Sequence, residues 1–316
     1  MARGRDQVSD REPIFSVVIP TFNREKLLPR CLQSVLDQSF RDFEIVVADD
    51  GSNDGSRAIV DEHVRREPRL RYVFQENKGA GDARNLGAAE ARGRYLTFLD
   101  SDDEVLPCWL EVLERELNRS DASIVCCGIA WHDSLGQCAQ ERIPEVLGEG
   151  LPPQQGHYRS GTFAIDRKVF EEIGGYASGL AANQHSELRC RLELAARHLG
   201  WTVSCLPDVL IRAHDHDGPK IRKNTYDVFR SAEFILTKYR SLMRENRQTY
   251  GNWASACAGA AAKSGRFRDA RLWFGRALGA QPTRVRYYAR YIVASIPGLR
   301  SYVWRKSPAE ADSVSL

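Results

Sequence analysis

The sequence predicts an α/β protein, with a mostly parallel sheet flanked by helices and a mostly helical C-terminal extension. Two observations carry this reading. Short apolar, β-branched runs alternate with amphipathic or Ala-rich segments through the first 130 residues or so, which is the pattern of a parallel sheet covered on both sides. Charge also divides the 316-residue chain: residues 1–216 hold 26 Lys/Arg and 35 Asp/Glu, whereas residues 217–316 hold 19 and 7. The expected organisation is a disordered tail over 1–13, an α/β domain over 14–216 and a basic, mostly helical region over 217–316.

The elements follow in order. Phe15–Pro20 is a buried strand ending at proline. Leu27, Leu28, Cys31, Leu32, Val35 and Leu36 mark one helix face, with Asn23 as its expected N-cap. Phe43–Ala48, Leu70–Phe74, Tyr95–Leu99 and Ser123–Cys127 are further strands. Helices are expected over Arg57–Arg66, Asp82–Ala91 and Trp109–Leu117. Residues 133–158 lack periodicity, are rich in Pro and Gly, and read as a long surface loop. Order resumes at Phe163–Ile165 and Lys168–Ile173. A helix follows over Ser186–Leu199, then two short strands at Trp201–Cys205 and Val209–Arg212.

Composition removes several classes of function. Apolar residues make up 42% of the chain and charged residues 28%, so a packed core is expected and wholesale disorder is not. The eight cysteines include no Cys-x-x-Cys pair, and Cys126 and Cys127 sit in an apolar run as buried free thiols. The first thirteen residues lack the apolar stretch of a secretory leader. The uncharged stretch Gln248–Ala262 is too short and too polar to span a bilayer. The expectation is a soluble, reduced, cytoplasmic protein, peripheral to the inner face of the membrane.

In open α/β sheets ligands bind beyond the carboxyl ends of the strands, and polar residues cluster there. Asp100-Ser101-Asp102-Asp103 follows a strand. On an extended segment, carboxylates two apart point to one side and need a cation between them; magnesium or manganese fits such hard oxygen ligands, and a solvated acidic turn is the alternative. Asp50 can accept from a base edge or ribose hydroxyl, or close an Asx-turn with Gly51. Phe22, beside Thr21, can pack on a flat base or enter the core. Arg84 can neutralise a phosphate or lie solvated on its helix. No Walker loop, nucleophile elbow or His-Glu-x-x-His is present, and the Gly79-Ala80-Gly81 start of a dinucleotide fingerprint has Arg84 at its third glycine position.

Four stretches in order, Ser16–Arg24, Phe43–Ser52, Asn77 through Arg84 to Gly87, and Tyr95–Asp103, resemble a family 2 glycosyltransferase of the GT-A fold. The resemblance is strong from about residue 14 to 120 and weaker to about 216. It implies a nucleoside-diphosphate-sugar donor, UDP-sugar favoured, an acceptor hydroxyl, a divalent metal at an Asp-x-Asp motif, and inversion at the anomeric carbon. Pro20, Thr21, Phe22, Asn23, Asp50, Arg84, Asp100 and Ser101 would hold the donor. Asp100, Asp102, Asp103 and His214 would surround the metal. The family usually places Glu-Asp ahead of a Leu-x-x-Arg-Leu helix, and that Asp is the expected base. Here Leu188–Leu192 keeps the pattern but Gln184 and His185 replace the acidic pair. His185 is a competent base near neutral pH. Glu187 is the nearest carboxylate and can equally form an ion pair with Arg191, four residues on.

In the basic region, Ala258–Ala280 resembles one tetratricopeptide-like hairpin without a second copy. A lone repeat is expected to pack on the catalytic domain or on a second subunit, giving a homodimer through the C-terminal helices. Arginines interleave with Tyr287, Tyr288, Tyr291 and Trp304, which suits an anionic membrane surface. Nucleic acid is not an expected partner. Two alternatives stand beside the transferase: a nucleotide-sugar-binding protein or pseudo-enzyme lacking the usual base, and a sugar nucleotidyltransferase, which would need a glycine loop absent after Pro20.

Overall fold

The computed structural model describes residues 12–133, 136–144, 159–214 and 224–304. Nearly all of the expected tail, and most of the expected surface loop, lie outside the described residues. The chain divides into two compact units. The first comprises Met1–Gly179 with Arg191–His216, the second Leu180–Cys190 with Asp217–Leu316.

The first unit is built on β1 (Phe15–Thr21), α1 (Leu28–Leu36), β2 (Phe43–Asp49), α2 (Ser56–Val64), β3 (Leu70–Phe74), α3 (Ala80–Ala89) and β4 (Tyr95–Phe98). There follow β5 (Glu104–Val105), α4 (Trp109–Ser120), β6 (Ile124–His132), β7 (Cys138–Arg142), β8 (Phe163–Asp166), α5 (Arg167–Glu172), the start of α6 (Gln184–Leu199) in the other unit, and β9 (Val203–His214). Among the described residues the sheet runs β3-β2-β1-β4-β8-β6-β9-β5, with β7 added beside β6.

Strands β3, β2, β1 and β4 are parallel, as the alternation requires. Beyond β4 the sheet becomes mixed. Strand β8 fills the gap between β4 and β6 and runs antiparallel to both. Its carbonyl at Phe163 accepts from the buried Thr97 Oγ1 at 2.8 Å. Part of the expected loop is the exposed strand β7, paired with β6. The two runs at 201–205 and 209–212 form one strand, β9, whose register with β6 shifts around Gly128 to pass Pro207 and Asp208. Cys126 and Cys127 are buried and unbridged.

Every residue of β1 and β2 is buried. One sheet face packs Phe15, Val17, Ile19, Ile45 and Val47 against Leu28, Leu32 and Val35 of α1 and Trp109 and Leu113 of α4. The other face receives α3. A Cβ at Gly87 would lie 2.4 Å from Val18 Cγ1 and 3.3 Å from Ala48 Cβ, so only glycine lets α3 lie this close to β1 and β2.

Helix α1 starts later than expected. Leu27 occupies the N-cap and Pro29 the first turn, where its missing N–H leaves no hydrogen bond unmade. Asn23 takes a left-handed φ of 51° and holds a loop rather than a helix end.

In the second unit, α7 (Thr225–Lys238) is capped by Asn224. Then come α8 (Arg240–Glu245), α9 (Arg247–Lys263), α10 (Phe267–Ala280), α11 (Val285–Ser295) and α12 (Pro297–Val303). Helices α9 and α10 form the expected hairpin through Gly265, whose φ is 81°. Their partners are α7 and α11 of the same unit, because the Ala-rich buried face of α9 admits close neighbours. No described helix is long and apolar enough to cross a membrane.

Gly87→Ala tests how α3 is seated. Overpacking of this kind costs about 1–3 kcal/mol, so the variant should lower the melting temperature by several degrees, read by calorimetry. Ala89→Gly, at the exposed end of the same helix, should cost less than about 1 kcal/mol.

Candidate active site

The carboxyl ends of β1, β2 and β4 deliver three loops to one edge of the sheet. The first two are laced together. Asn53 N–H donates to Asn23 Oδ1 at 2.9 Å, and Asn23 N–H donates to Ser52 Oγ at 2.9 Å. Arg24 N–H donates to Ser56 Oγ at 2.8 Å, and Glu25 Oε2 accepts from Gly55 N–H at 2.9 Å. Phe22 projects from this loop with 41% of its surface exposed, which removes it from the core. Thr21 is buried, and its Oγ1 has no hydrogen-bond partner among the described residues.

Asp49 and Asp50 end β2, and both are buried. Asp49 accepts from Ser52 N–H and Tyr72 Oη, each at 2.8 Å. Asp50 Oδ1 accepts from Gln75 Nε2 at 2.7 Å and Lys78 N–H at 2.8 Å, and its Oδ2 from Gly79 N–H at 2.9 Å. The carboxylate thus closes the turn that leads into α3, rather than an Asx-turn with Gly51. Gly51 is required on its own account: its φ is 84°, and a Cβ there would lie 2.9 Å from Asn77 N.

The acidic segment after β4 is a turn and not an extended chain. Asp103 N–H donates to Asp100 O at 3.0 Å, and this closure, not strand alternation, gathers the side chains. One carboxylate oxygen from each of Asp100, Asp102 and Asp103 lies within 4.8 Å of the others, with Ser101 buried between them. Three arginines partly offset the charge. Arg84 Nη2 lies 2.6 Å from Asp100 Oδ1 and Arg24 Nη2 3.8 Å from Asp102 Oδ2, while Arg30 Nη2 donates to Asp102 O at 2.7 Å. Burial, and then the charges of Asp102 and Asp100, still push the Asp103 carboxyl well above the usual carboxylate range, against the pull of the His214 backbone N–H. Such crowding, with oxygen-only donors, fits a hard divalent cation.

Arg84 is 4% exposed and not solvated. Burial opposes its charge, and the Asp100 carboxylate restores it. The guanidinium lies over the Tyr176 ring at 5.4 Å. Tyr176 is itself fixed to the next residue of α3: its N–H donates to Asn85 Oδ1 at 2.8 Å, and Asn85 Nδ2 donates to Tyr176 O at 2.9 Å. Gly175, at φ 65°, makes room for Asn85.

His214 ends β9 beside the acidic turn. Its Nε2 lies 2.5 Å from Glu104 Oε2, and its ring stacks on that of His132, its register partner, at 5.7 Å. Burial and then Arg30 lower its proton affinity, and Glu104 opposes them. The backbone of His214 thus borders the acidic turn, while its imidazole is held by Glu104 and lies outside the cluster of three carboxylates.

His185 and Glu187 belong to the second unit. His185 is half-buried in the first turn of α6. Glu187 has no exposed surface; its Oε1 accepts from Tyr239 Oη at 2.5 Å and lies 3.4 Å from Lys238 Nζ. It is a buried carboxylate anchoring α6 to α7, and not a surface group.

The mixed sheet carries an acidic turn at the end of β4, braced by a buried arginine, at the edge where open α/β sheets bind ligands. The chain belongs to glycosyl transferase family 2, whose model matches residues 16–174. It is 40% identical to the glycosyltransferase GlyG of Streptococcus pneumoniae over 113 residues, which is 35% of this chain and 38% of GlyG. The chain spans less than half the length of the curated relatives it matches. Two solved structures share the fold at 18% identity. S. aureus TarS 1–349 in complex with UDP-GlcNAc has a TM-score of 0.63 and covers 93% of each chain. The mannosyltransferase PcManGT of Pyrobaculum calidifontis, in complex with GDP-Man and Mn2+, has a TM-score of 0.53 and covers 94% of this chain and 89% of its own. Both likenesses show the GT-A arrangement.

Sequence reasoning assigned no role to Arg24, Arg30, Glu104 or Tyr176. Arg24 stands inside the first motif and Tyr176 directly after Gly174-Gly175, so each had a local signal. Arg30 and Glu104 had none.

Arg84→Lys keeps the charge but loses the planar fork that grips Asp100 and lies over Tyr176. The expected result is a loss of at least about tenfold in the rate of glycosyl transfer with a small change in melting temperature. An unchanged rate would remove Arg84 from the site.

Proposed function

We propose that the chain is an inverting, metal-dependent glycosyltransferase that moves a sugar from a nucleoside-diphosphate sugar, UDP-sugar in preference, to an acceptor hydroxyl of a glycan, glycolipid or small molecule. The observation that carries the proposal is the convergence of Asp100, Asp102 and Asp103 at the carboxyl end of β4. These three, with His214 beside them, would hold magnesium or manganese, which supplies positive charge to the departing diphosphate. The complexes named above, of TarS with UDP-GlcNAc and of PcManGT with GDP-Man and Mn2+, support a donor and a metal of this kind.

The chain's own residues would do the rest. Pro20, Thr21, Phe22 and Asn23 shape the nucleoside side. Thr21 Oγ1, without a partner among the described residues, has hydrogen-bonding capacity that a buried polar atom rarely leaves unused, and the exposed Phe22 ring offers a face to a flat base. Asp50 orders the turn at 78–79 and faces the same edge of the sheet. Arg84 fixes Asp100, and Ser101 keeps the turn compact. The acceptor oxygen bonds to the anomeric carbon as the bond to the diphosphate oxygen breaks, and the acceptor proton passes to a base. His185 is that base. The burial of Glu187 and its bond to Tyr239 support this choice over Glu187.

Release of free nucleoside diphosphate from a panel of nucleotide sugars, with and without acceptor, tests the reaction. Chelator-treated protein should lose turnover, and added manganese or magnesium should restore it. Asp102→Asn should abolish turnover with the fold intact by circular dichroism. Full turnover under chelation overturns the metal, and no turnover with any donor favours a nucleotide-sugar-binding protein.

His185→Ala should lower turnover by about 10²–10⁴-fold, the usual contribution of a positioned base, with little loss of donor binding. Glu187→Gln should instead lower the melting temperature and leave turnover within a few-fold. The reverse ranking in single-turnover assays moves the base to Glu187.

A further inference from the structure

We propose that α11 and α12 form a docking surface for an anionic lipid bilayer, on which the chain lies without crossing it. This inference rests on the second unit alone and is independent of the donor, the metal and the base.

The two helices leave an unusual amount of apolar surface in water. On α11, Val285, Tyr288 and Ile292 are 78, 46 and 52% exposed; their spacing of three and four puts them on one stripe. On α12, Leu299, Tyr302 and Val303 are 44, 76 and 53% exposed at the same spacing. Ile296, between the helices, is 43% exposed. The inward side is already filled: Tyr287 and Ala294 are fully buried, and Trp304 stacks on Phe274 at 6.3 Å. The outward residues are therefore not a displaced core. Exposed apolar stripes on two consecutive helices point to an interaction site.

Charge selects the partner. From residue 270 to residue 304 there is no Asp or Glu, and there are six arginines. Arg284, the N-cap of α11, and Arg286 and Arg290 on the helix are exposed. A second copy presenting the same face would set arginine against arginine, so self-association is disfavoured. An anionic headgroup layer supplies the missing negative charge, and the acyl boundary accepts Ile, Leu, Val and Tyr side chains. The helices have 11 and 7 residues, far short of a membrane span, which fits a helix pair lying in the interface.

Vesicle sedimentation of the full chain tests this. Vesicles of phosphatidylcholine with 30% phosphatidylglycerol (about a physiological anionic content) should bind the protein in low salt, and pure phosphatidylcholine should bind it at least about tenfold more weakly. High salt should release most of the bound protein. Arg284→Gln with Arg286→Gln should weaken partitioning by about tenfold or more, since each basic residue near a charged surface contributes about fivefold. Ile292→Ser with Leu299→Ser should weaken it further while circular dichroism stays unchanged. Equal binding to both vesicle types, or none, overturns the proposal. So does a dimer in analytical ultracentrifugation that the Ile292→Ser, Leu299→Ser chain fails to form, which would assign the face to a second copy.

Discussion

Three carboxylates crowded at the end of one strand are the constraint around which the first unit is organised. Left alone they would repel, and the turn from Asp100 to Asp103 would open. Arg84 and Arg24 reach their carboxylates and Arg30 braces the turn backbone, each from a different element. Each must therefore be placed to within a hydrogen-bond length. Arg84 depends on α3, α3 depends on Gly87 to lie against β1 and β2, and the start of α3 depends on Asp50. The acidic turn thus reaches back through a chain of contacts to most of the parallel sheet. The cations present do not relieve Asp103, which burial and its neighbours hold toward the protonated form.

The parallel half of the fold was legible because its signals are local. A buried strand between two helices needs apolar residues on both faces, and β1, β2 and β4 show them. The antiparallel half was not legible, because nothing in Phe163–Asp166 says which way the strand runs. Its direction is set by the gap between β4 and β6, a property of the assembled sheet. The proline at Pro207 gave a false break. A register shift opposite Gly128 absorbs it, and such a shift cannot be read from one strand alone.

The site shows the same division. The aspartates were found at once, although their geometry came from a turn and not from strand alternation. Asn23 resembled a helix cap because a short polar residue ahead of an apolar stripe usually is one; its left-handed backbone and its bonds to residues 52 and 53 belong to a loop–loop contact. Glu187 looked like a surface residue because Arg191 lies four positions on, and only the fold reveals Tyr239 above it. In each case the deciding partner is distant in sequence.

The lacing of residues 22–25 to residues 52–56 carries a consequence for how such sites diversify. Each loop supplies both donors and acceptors to the other: Asn23 binds Ser52 and Asn53, Ser56 receives Arg24, and Glu25 receives Gly55. Exchanging either loop by itself for that of a related enzyme would leave donors and acceptors on the other without their partners. The two form a single inheritable unit, so variation in what this edge of the sheet accepts must travel as paired changes some thirty residues apart.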